Sequence, residues 1–211
     1  GSPATLKSYV NGVLNTTVTP SDYGAAGIPL AIGSGTAGFY TGKIDTVRVY
    51  ARNLSADEIL RDYYAGRLAH PALVTTANLV SQYLPSGMST TAWTDVTGSN
   101  NMTGAVTAPP AFDGNDYYTI GNPANLQFTN NWSVEAWGSQ NLDGSQGFER
   151  LVSRDDGSNR CFILSQNDTT GVAFAGIFVT ISGTTSMVSV QSTANYADGN
   201  YHHYVVTHDG A

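Results

Sequence analysis

The sequence is poor in charge, lysine and cysteine. Charged residues make up 12% of its 211 residues, about half the usual share, and lysine occurs at Lys7 and Lys43 alone. The formal net charge is -7. Nucleic acids and anionic membrane surfaces both require a basic footprint, so neither is expected as a partner. A single cysteine, Cys161, excludes an internal disulfide; within the run RCFIL it reads as a small buried apolar group. No apolar run is long enough to cross a bilayer, and no signal peptide is expected. Several catalytic signatures are missing as well: a G-x-S-x-G elbow, a P-loop and Cys/His zinc spacing. Glycoside hydrolysis needs two carboxylates flanking one bond. The strand best placed to carry them, WSVEAWGSQ, holds Glu135 alone, while Glu149, Asp155 and Asp156 sit in turn-like contexts that solubilise a loop. An enzyme is therefore not expected.

What is present is β-structure. Hydrophobic residues are 41% of the chain and aromatics 10%, enough for a core at this length. Gly, Ser, Thr and Asn carry the surface, as suits a turn-rich sandwich exposed outside a cell or on a particle. Residues 5–18 read as a hairpin around Asn11-Gly12, a strong type I′ turn signal. PLAIGS, LVSQYLP, PAFDGNDYYTIG, FTNNWSVEAWGSQ, GVAFAGIFVTISG, SMVSVQST and DGNYHHYVVTHDG each contain a strand. ERLVSRDDGSNRCFILSQN is a hairpin turning at Asp156-Gly157. Residues 85–107 are polar and turn-rich, which predicts a surface excursion. About a dozen short strands in all predict an all-β, two-sheet antiparallel sandwich.

The stretch GKIDTVRVYARNLSADEILRDYYAGR, residues 42–67, is the exception. It opens as a strand over residues 43–51, with Val47 and Val49 on one face and Ile44, Arg48 and Tyr50 on the other. A short helix follows. Ser55 and Glu58 form a capping box, Leu54 and Ile59 form a hydrophobic staple, and Gly66 is placed to stop the helix. LAHPALVTTA then reads as a linker, with Pro71 barring both helix and central strand.

Several residues carry possible chemistry. Asp45 shares the strand face of Val47 and Val49, so its carboxylate needs a partner: a hard cation, backbone N–H groups or an arginine. Asp113, Asn115 and Asp116 are turn residues. His202 and His203 point to opposite faces of a strand, and His208 lies about 20 Å from His202 along it, so packing is their expected role. Trp132 and Trp137 fall on opposite faces, one in the core and one facing outward or under a loop. Trp93, in the polar excursion, is the candidate exposed platform for a sugar ring. Tyr63 and Tyr64 are expected to dock the helix.

FDGNDYYTIG, NNWSVEAWGSQ and NYHHYVVTHDGA resemble the first part of a laminin-G-like domain of the concanavalin A-like lectin/glucanase superfamily. LKSYVNG and GKIDTVRVYARNLSADEI resemble its last part. Their order in this chain is rotated. The resemblance implies a concanavalin A-like jelly roll with one short helix. It would be one domain over residues 1–211, built from segments 1–67 and 78–211 joined by the linker 68–77. It also implies a structural calcium on the Asp45 carboxylate and the Gly114 carbonyl. The function implied is a non-enzymatic recognition or adhesion module for glycans or a surface polymer. The alternative is a structural component of a virion or bacterial surface, with other copies or a capsid or appendage protein as partner. Either role places the chain outside the cell, on a cell surface or on a virion.

Overall fold

The computed structural model describes residues 4–20, 29–35, 38–68, 76–128, 130–142, 147–155, 160–167, 169–181 and 184–210. The strands are β1 (Thr5–Val10), β2 (Val13–Val18), β3 (Leu30–Ile32), β4 (Thr41–Tyr50), β5 (Leu79–Met88), β6 (Ala92–Asp95), β7 (Met102–Ala105), β8 (Ala111–Asp113), β9 (Tyr117–Ile120), β10 (Trp132–Ser139), β11 (Phe148–Asp155), β12 (Arg160–Asn167), β13 (Val172–Ile181), β14 (Thr184–Asn195) and β15 (His202–Asp209). The helix α1 spans Ala56–Leu68. All pairings are antiparallel.

Hydrogen bonding runs unbroken through the order β14-β13-β12-β11-β3-β9-β7-β6-β5-β4-β10-β15-β1-β2, with β8 added to the start of β4. The strand β5 is the corner. Its first part pairs with β4 and its later part with β6, with a register shift between Tyr83 and Met88. A front layer (β2-β1-β15-β10-β4) thus passes into a back layer (β6-β7-β9-β3-β11-β12-β13-β14). At the far side β14 comes back against β1 and β2, where the Thr16 hydroxyl donates to the Gln191 carbonyl at 2.8 Å. The core lies between the layers. Leu6, Val47, Val49, Trp132, Val134, Tyr204 and Val206 face it from the front; Leu151, Phe162, Leu164, Ile177 and Val190 face it from the back.

Local chemistry explains the elements. Asn11 and Gly12 take φ of 52° and 79°, the two left-handed residues a type I′ turn needs. The capping box forms as expected: the Ser55 amide donates to Glu58 Oε2 at 2.9 Å, and the Glu58 amide donates to Ser55 Oγ at 3.3 Å. Leu54 and Ile59 pack together with Tyr9, Tyr50 and Val205 on the outer face of the front layer. The helix therefore covers that face, which is why β10 is buried at every position although polar residues alternate along it.

The structure corrects three expectations. First, β4 carries a bulge: Val47 lies opposite Ala136 but Ile44 lies opposite Gly138. Three steps on β4 therefore match two on β10, and Ile44 joins Val47 and Val49 in the core. Second, residues 85–107 are not an excursion. They complete β5 and supply β6 and β7, with Trp93 and Met102 in the core. Third, Gly66 does not stop α1, which continues to Leu68. A Cβ on Gly66 would meet the Trp137 ring at 2.4–2.7 Å, so the glycine is there for close approach. Of the expected linker, Leu68 ends the helix and residues 69–75 lie outside the described residues, as does the turn at Asp156-Gly157.

Gly66→Ala tests that close approach. A helical glycine replaced by alanine should gain about 0.5–1 kcal/mol from backbone entropy. Against Trp137 the change instead overpacks, at about 1–3 kcal/mol. Denaturant unfolding should show net destabilisation; a more stable variant would refute the close approach.

Candidate binding site

Two polar clusters are built into the front layer. The first lies under α1. Alternation along β10 sends Ser133, Glu135 and Trp137 to the helix side while Trp132, Val134 and Ala136 enter the core. Glu135 forms a buried ion pair with Arg48 of β4, its register partner. His203 Nε2 lies 3.4 Å from the other Glu135 oxygen. Burial opposes the Glu135 charge, but Arg48 and His203 hold its carboxyl below the usual carboxylate range. Trp137 stacks on His203 at 5.0 Å and on Tyr63 of α1 at 5.9 Å, with planes 8° apart. The Arg67 guanidinium sits 5.6 Å over the Tyr63 ring. Ser133 accepts the Leu54 amide at 2.8 Å and donates to the Arg52 carbonyl. Arg52 then grips Glu58 through two bonds of 2.8 and 2.7 Å, drawing that carboxyl down to about 2. The central groups of this cluster, Arg48, Glu135, Trp137 and His203, are buried. It is a lock that holds the helix to the sheet.

The second cluster occupies one end of the sandwich, where β10 ends, β15 begins and the β1–β2 turn arrives. The segment between β14 and β15 turns at Asp198 to Asn200, and the Gly199 amide donates to the Gln140 carbonyl at 2.9 Å. His202 is held from both ring nitrogens, by the Asn11 amide at 3.0 Å and Asp198 at 2.9 Å. Partial burial opposes the Asp198 charge, yet His202 and Asn200 together draw its carboxyl down to about 2. Tyr196 meets the His202 ring edge-on at 5.1 Å. Tyr196, Tyr201 and His202 are half-buried, and Asp198 is exposed. Beneath them the polar groups continue inward. Tyr204 donates to Gln166 at 3.2 Å, and Gln140 donates to the buried Glu149, which also accepts the Thr41 amide at 2.7 Å. Burial, with Tyr204 and Glu149 nearby, pushes the Tyr40 hydroxyl well above its ordinary range. This end offers aromatic edges, an amide and a carboxylate at one surface, over a hydrogen-bonded interior.

The residues singled out from sequence fall in different places. Trp93 is no sugar platform. It is fully buried between Tyr83 and Tyr118, with ring centroids at 5.7 and 5.3 Å, and its Nε1 donates to the Leu84 carbonyl at 2.7 Å. The polar sequence around it hid a strand pair that needs a large ring to fill the corner. Asp45 sits at the β4 bulge, 7% exposed, and accepts the Thr46 hydroxyl at 3.2 Å. The Gly114 amide is bonded to the Tyr40 carbonyl at 3.2 Å, five residues away from Asp45, which is on the order of 15 Å of extended chain. The structure does not bring the two together. Calcium takes six to eight oxygens, and among the described residues no group of three or more acidic, His or Cys side chains gathers to hold a metal.

Asp116 accepts the Thr107 and Asp113 amides, and the Asn115 amide goes to Asp113, as turn chemistry requires. His203 packs against Trp137 and His208 against Trp132 at 5.7 Å, as expected, whereas His202 is held at the surface by Asn11 and Asp198. Trp132 is the core tryptophan; Trp137 lies under the helix rather than a loop. Tyr63 docks the helix, while Tyr64 is 53% exposed. Glu149 is fully buried on β11 rather than solubilising a turn. Its one sequence signal was position: it stands two residues before the core pair Leu151 and Val152.

A family model described as the concanavalin A-like lectin/glucanases superfamily, of laminin G type, matches residues 2–60 and 112–211. A match split in this way accords with a rotated order. No curated protein and no solved structure matches the chain.

Glu135→Ala strands Arg48 in a buried site and should cost about 3–5 kcal/mol, whereas replacing both partners by apolar residues of similar volume should cost far less. A double-mutant cycle by denaturant unfolding reads the difference; equal costs would sink the lock. Acid should act in two stages. Burial depresses His208 below its ordinary 6.5, so the fold loses that contribution as pH falls below about 6.5. Glu58 and Glu135 are depressed below 4.5, so their contribution is complete above that value and disappears toward about pH 2. Stability followed from neutral pH downward should show both declines; a flat profile through the lower window would contradict the lowered carboxylates.

Proposed function

We propose that this chain, which belongs to the concanavalin A-like lectin/glucanases superfamily, is a non-catalytic binding module that engages a neutral glycan or surface polymer. Domains of laminin G type are generally non-catalytic binders, and the superfamily often binds carbohydrate or protein. The carrying observation is the surface at the sandwich end, where half-buried Tyr196, His202 and Asn11 adjoin exposed Asp198, with half-buried Tyr201 preceding His202 in the chain. Aromatic edges stack on the apolar face of a sugar, and short amide and carboxylate groups take its hydroxyls. A net charge of -7 disfavours acidic polymers. Glu135, the carboxylate of WSVEAWGSQ, is committed to Arg48 and His203 under the helix, which supports binding over hydrolysis. A glycan or polymer ligand also fits an extracellular, cell-surface or virion setting.

A protein partner, as in an assembled virion or bacterial surface, is the second reading. One observation favours it. Val13 and Leu14 at the β1–β2 turn and Leu60 and Tyr64 on α1 are 38–65% exposed, and the turn touches the helix, since a Cβ on Gly12 would meet the Leu60 side chain.

Binding to an array of neutral and acidic glycans distinguishes the two. Tyr201→Ala and Asp198→Ala should each weaken neutral-glycan binding about threefold to tenfold, the worth of one aromatic or polar contact, while leaving the melting temperature within a few degrees. Absence of any glycan binder, with retention on particles through the Leu14 and Tyr64 surface, would replace the first reading by the second.

A further inference from the structure

The elements divide after the helix: β1 to β4 and α1 lie within residues 5–68 and form a first piece, and β5 to β15 lie within residues 79–209 and form a second. Among the described residues, the strands of the first piece find most of their partners in the second. Among its strands only β1 and β2 pair with each other; β3 pairs with β11 and β9, and β4 with β10, β5 and β8, all from the second piece. The remaining edge of β1 is taken by β15, in a register that places Thr5 opposite Asp209 and Lys7 opposite Thr207. An unpaired buried backbone is too costly to persist, so these edges oblige the first piece to find the second.

The side chains across the division are equally matched. Arg48 meets Glu135, Tyr63 meets Trp137, Asn11 meets His202, and the Thr41 amide meets Glu149. Leu6, Ile32, Val47 and Val49 of the first piece lie in one apolar cluster with Trp132, Val134 and Phe162 of the second. No disulfide fixes which first piece serves which second piece, since Cys161 is the chain's one cysteine. The family match is likewise in two parts, 2–60 within the first piece and one beginning at 112 within the second.

We propose that the first piece is an exchangeable donor: it completes the second piece of another copy of this chain through the contacts it makes within its own. Each exchange leaves a reciprocal demand, so the products are closed dimers or head-to-tail chains of copies. The interface is the β1–β15 and β4–β10 pairing together with the helix lock.

Cross-strand cysteines test this. In a Cys161→Ala background, Lys7→Cys and Thr207→Cys are made on separate chains, unfolded, mixed and refolded with oxidised glutathione. Exchange gives a disulfide-linked heterodimer of twice the chain mass, absent when the two are mixed already folded. A double variant carrying both cysteines reports whether this register pair can form a bond. If it closes its own disulfide while the refolded mixture yields no linked species, the proposal is overturned. If it does not close, unmodified protein refolded at rising concentration decides by light scattering. Dimers or longer species growing with concentration uphold exchange, and monomer throughout overturns it.

Discussion

A strand buried on both faces must also be paired on both edges, because water reaches none of its backbone groups. The strand β4 lives under that constraint. Its core side carries Ile44, Val47 and Val49, its other side carries Arg48 and Tyr50 beneath α1, and its edges are held by β10 and β5. Every other element of the front layer follows from it. β10 must supply a carboxylate where β4 presents Arg48. α1 must cover Tyr50. β5 must leave β4 at the corner, or the sheet could not turn over to close the core.

The ion pair between Arg48 and Glu135 fits this picture as a determinant of register rather than a source of net stability. Burying two charges costs several kcal/mol per ion, and their attraction offsets this only with good geometry and added hydrogen bonds. What the pair does supply is discrimination. A one-residue slip of β4 against β10 would turn Arg48 into the apolar core and leave Glu135 against valine. The bulge opposite Trp137 adds a second index mark, since it lets Ile44 and Val47 both face inward only in this register. A β-rich chain with few charges gains much from placing two of them where a slip would be most costly.

Local rules made much of this legible. The Asn-Gly turn, the capping box and the staple each depend on residues within a few positions, and each formed as the residues dictate. Strand alternation assigned Trp132 and Trp137 to opposite faces, and the paired motifs indicated a concanavalin A-like sandwich in rotated order. Failures came where a distant partner decided the outcome. Gly66 has the chemistry of a helix stop, but the Trp137 ring gave it another use. Trp93 lies in a polar stretch, and only the closing of β6 against β5 and β7 shows that the stretch is a buried corner. Glu149 looks like a loop carboxylate until Thr41 and Gln140 are brought to it from other strands. Asp45 and Gly114 were linked through the resemblance, and the bulge and the β8 pairing set them at different stations on β4.

The same coverage limits where this molecule can bind anything. The inner face of the front layer is core and α1 packs on its outer face, so a ligand is left the back layer, an edge, an end or the outward side of the helix. Edges are poor recognition sites here: β1 is covered by β2 and β15, and β14 folds back to meet β2. At the end bearing Tyr196, Tyr201 and His202, by contrast, the turns leave polar groups at the surface while the strands beneath hold them in place. His202 cannot rotate freely, because Asn11 and Asp198 occupy both of its nitrogens, and Tyr196 is steadied by its contact with that ring. Side chains fixed in this way lose little conformational entropy on engaging a ligand. The polar interior formed by Gln140, Glu149, Gln166 and Tyr204 then acts as the support that keeps the surface groups in register, in the way that the helix lock keeps β4 in register on the opposite face of the sheet.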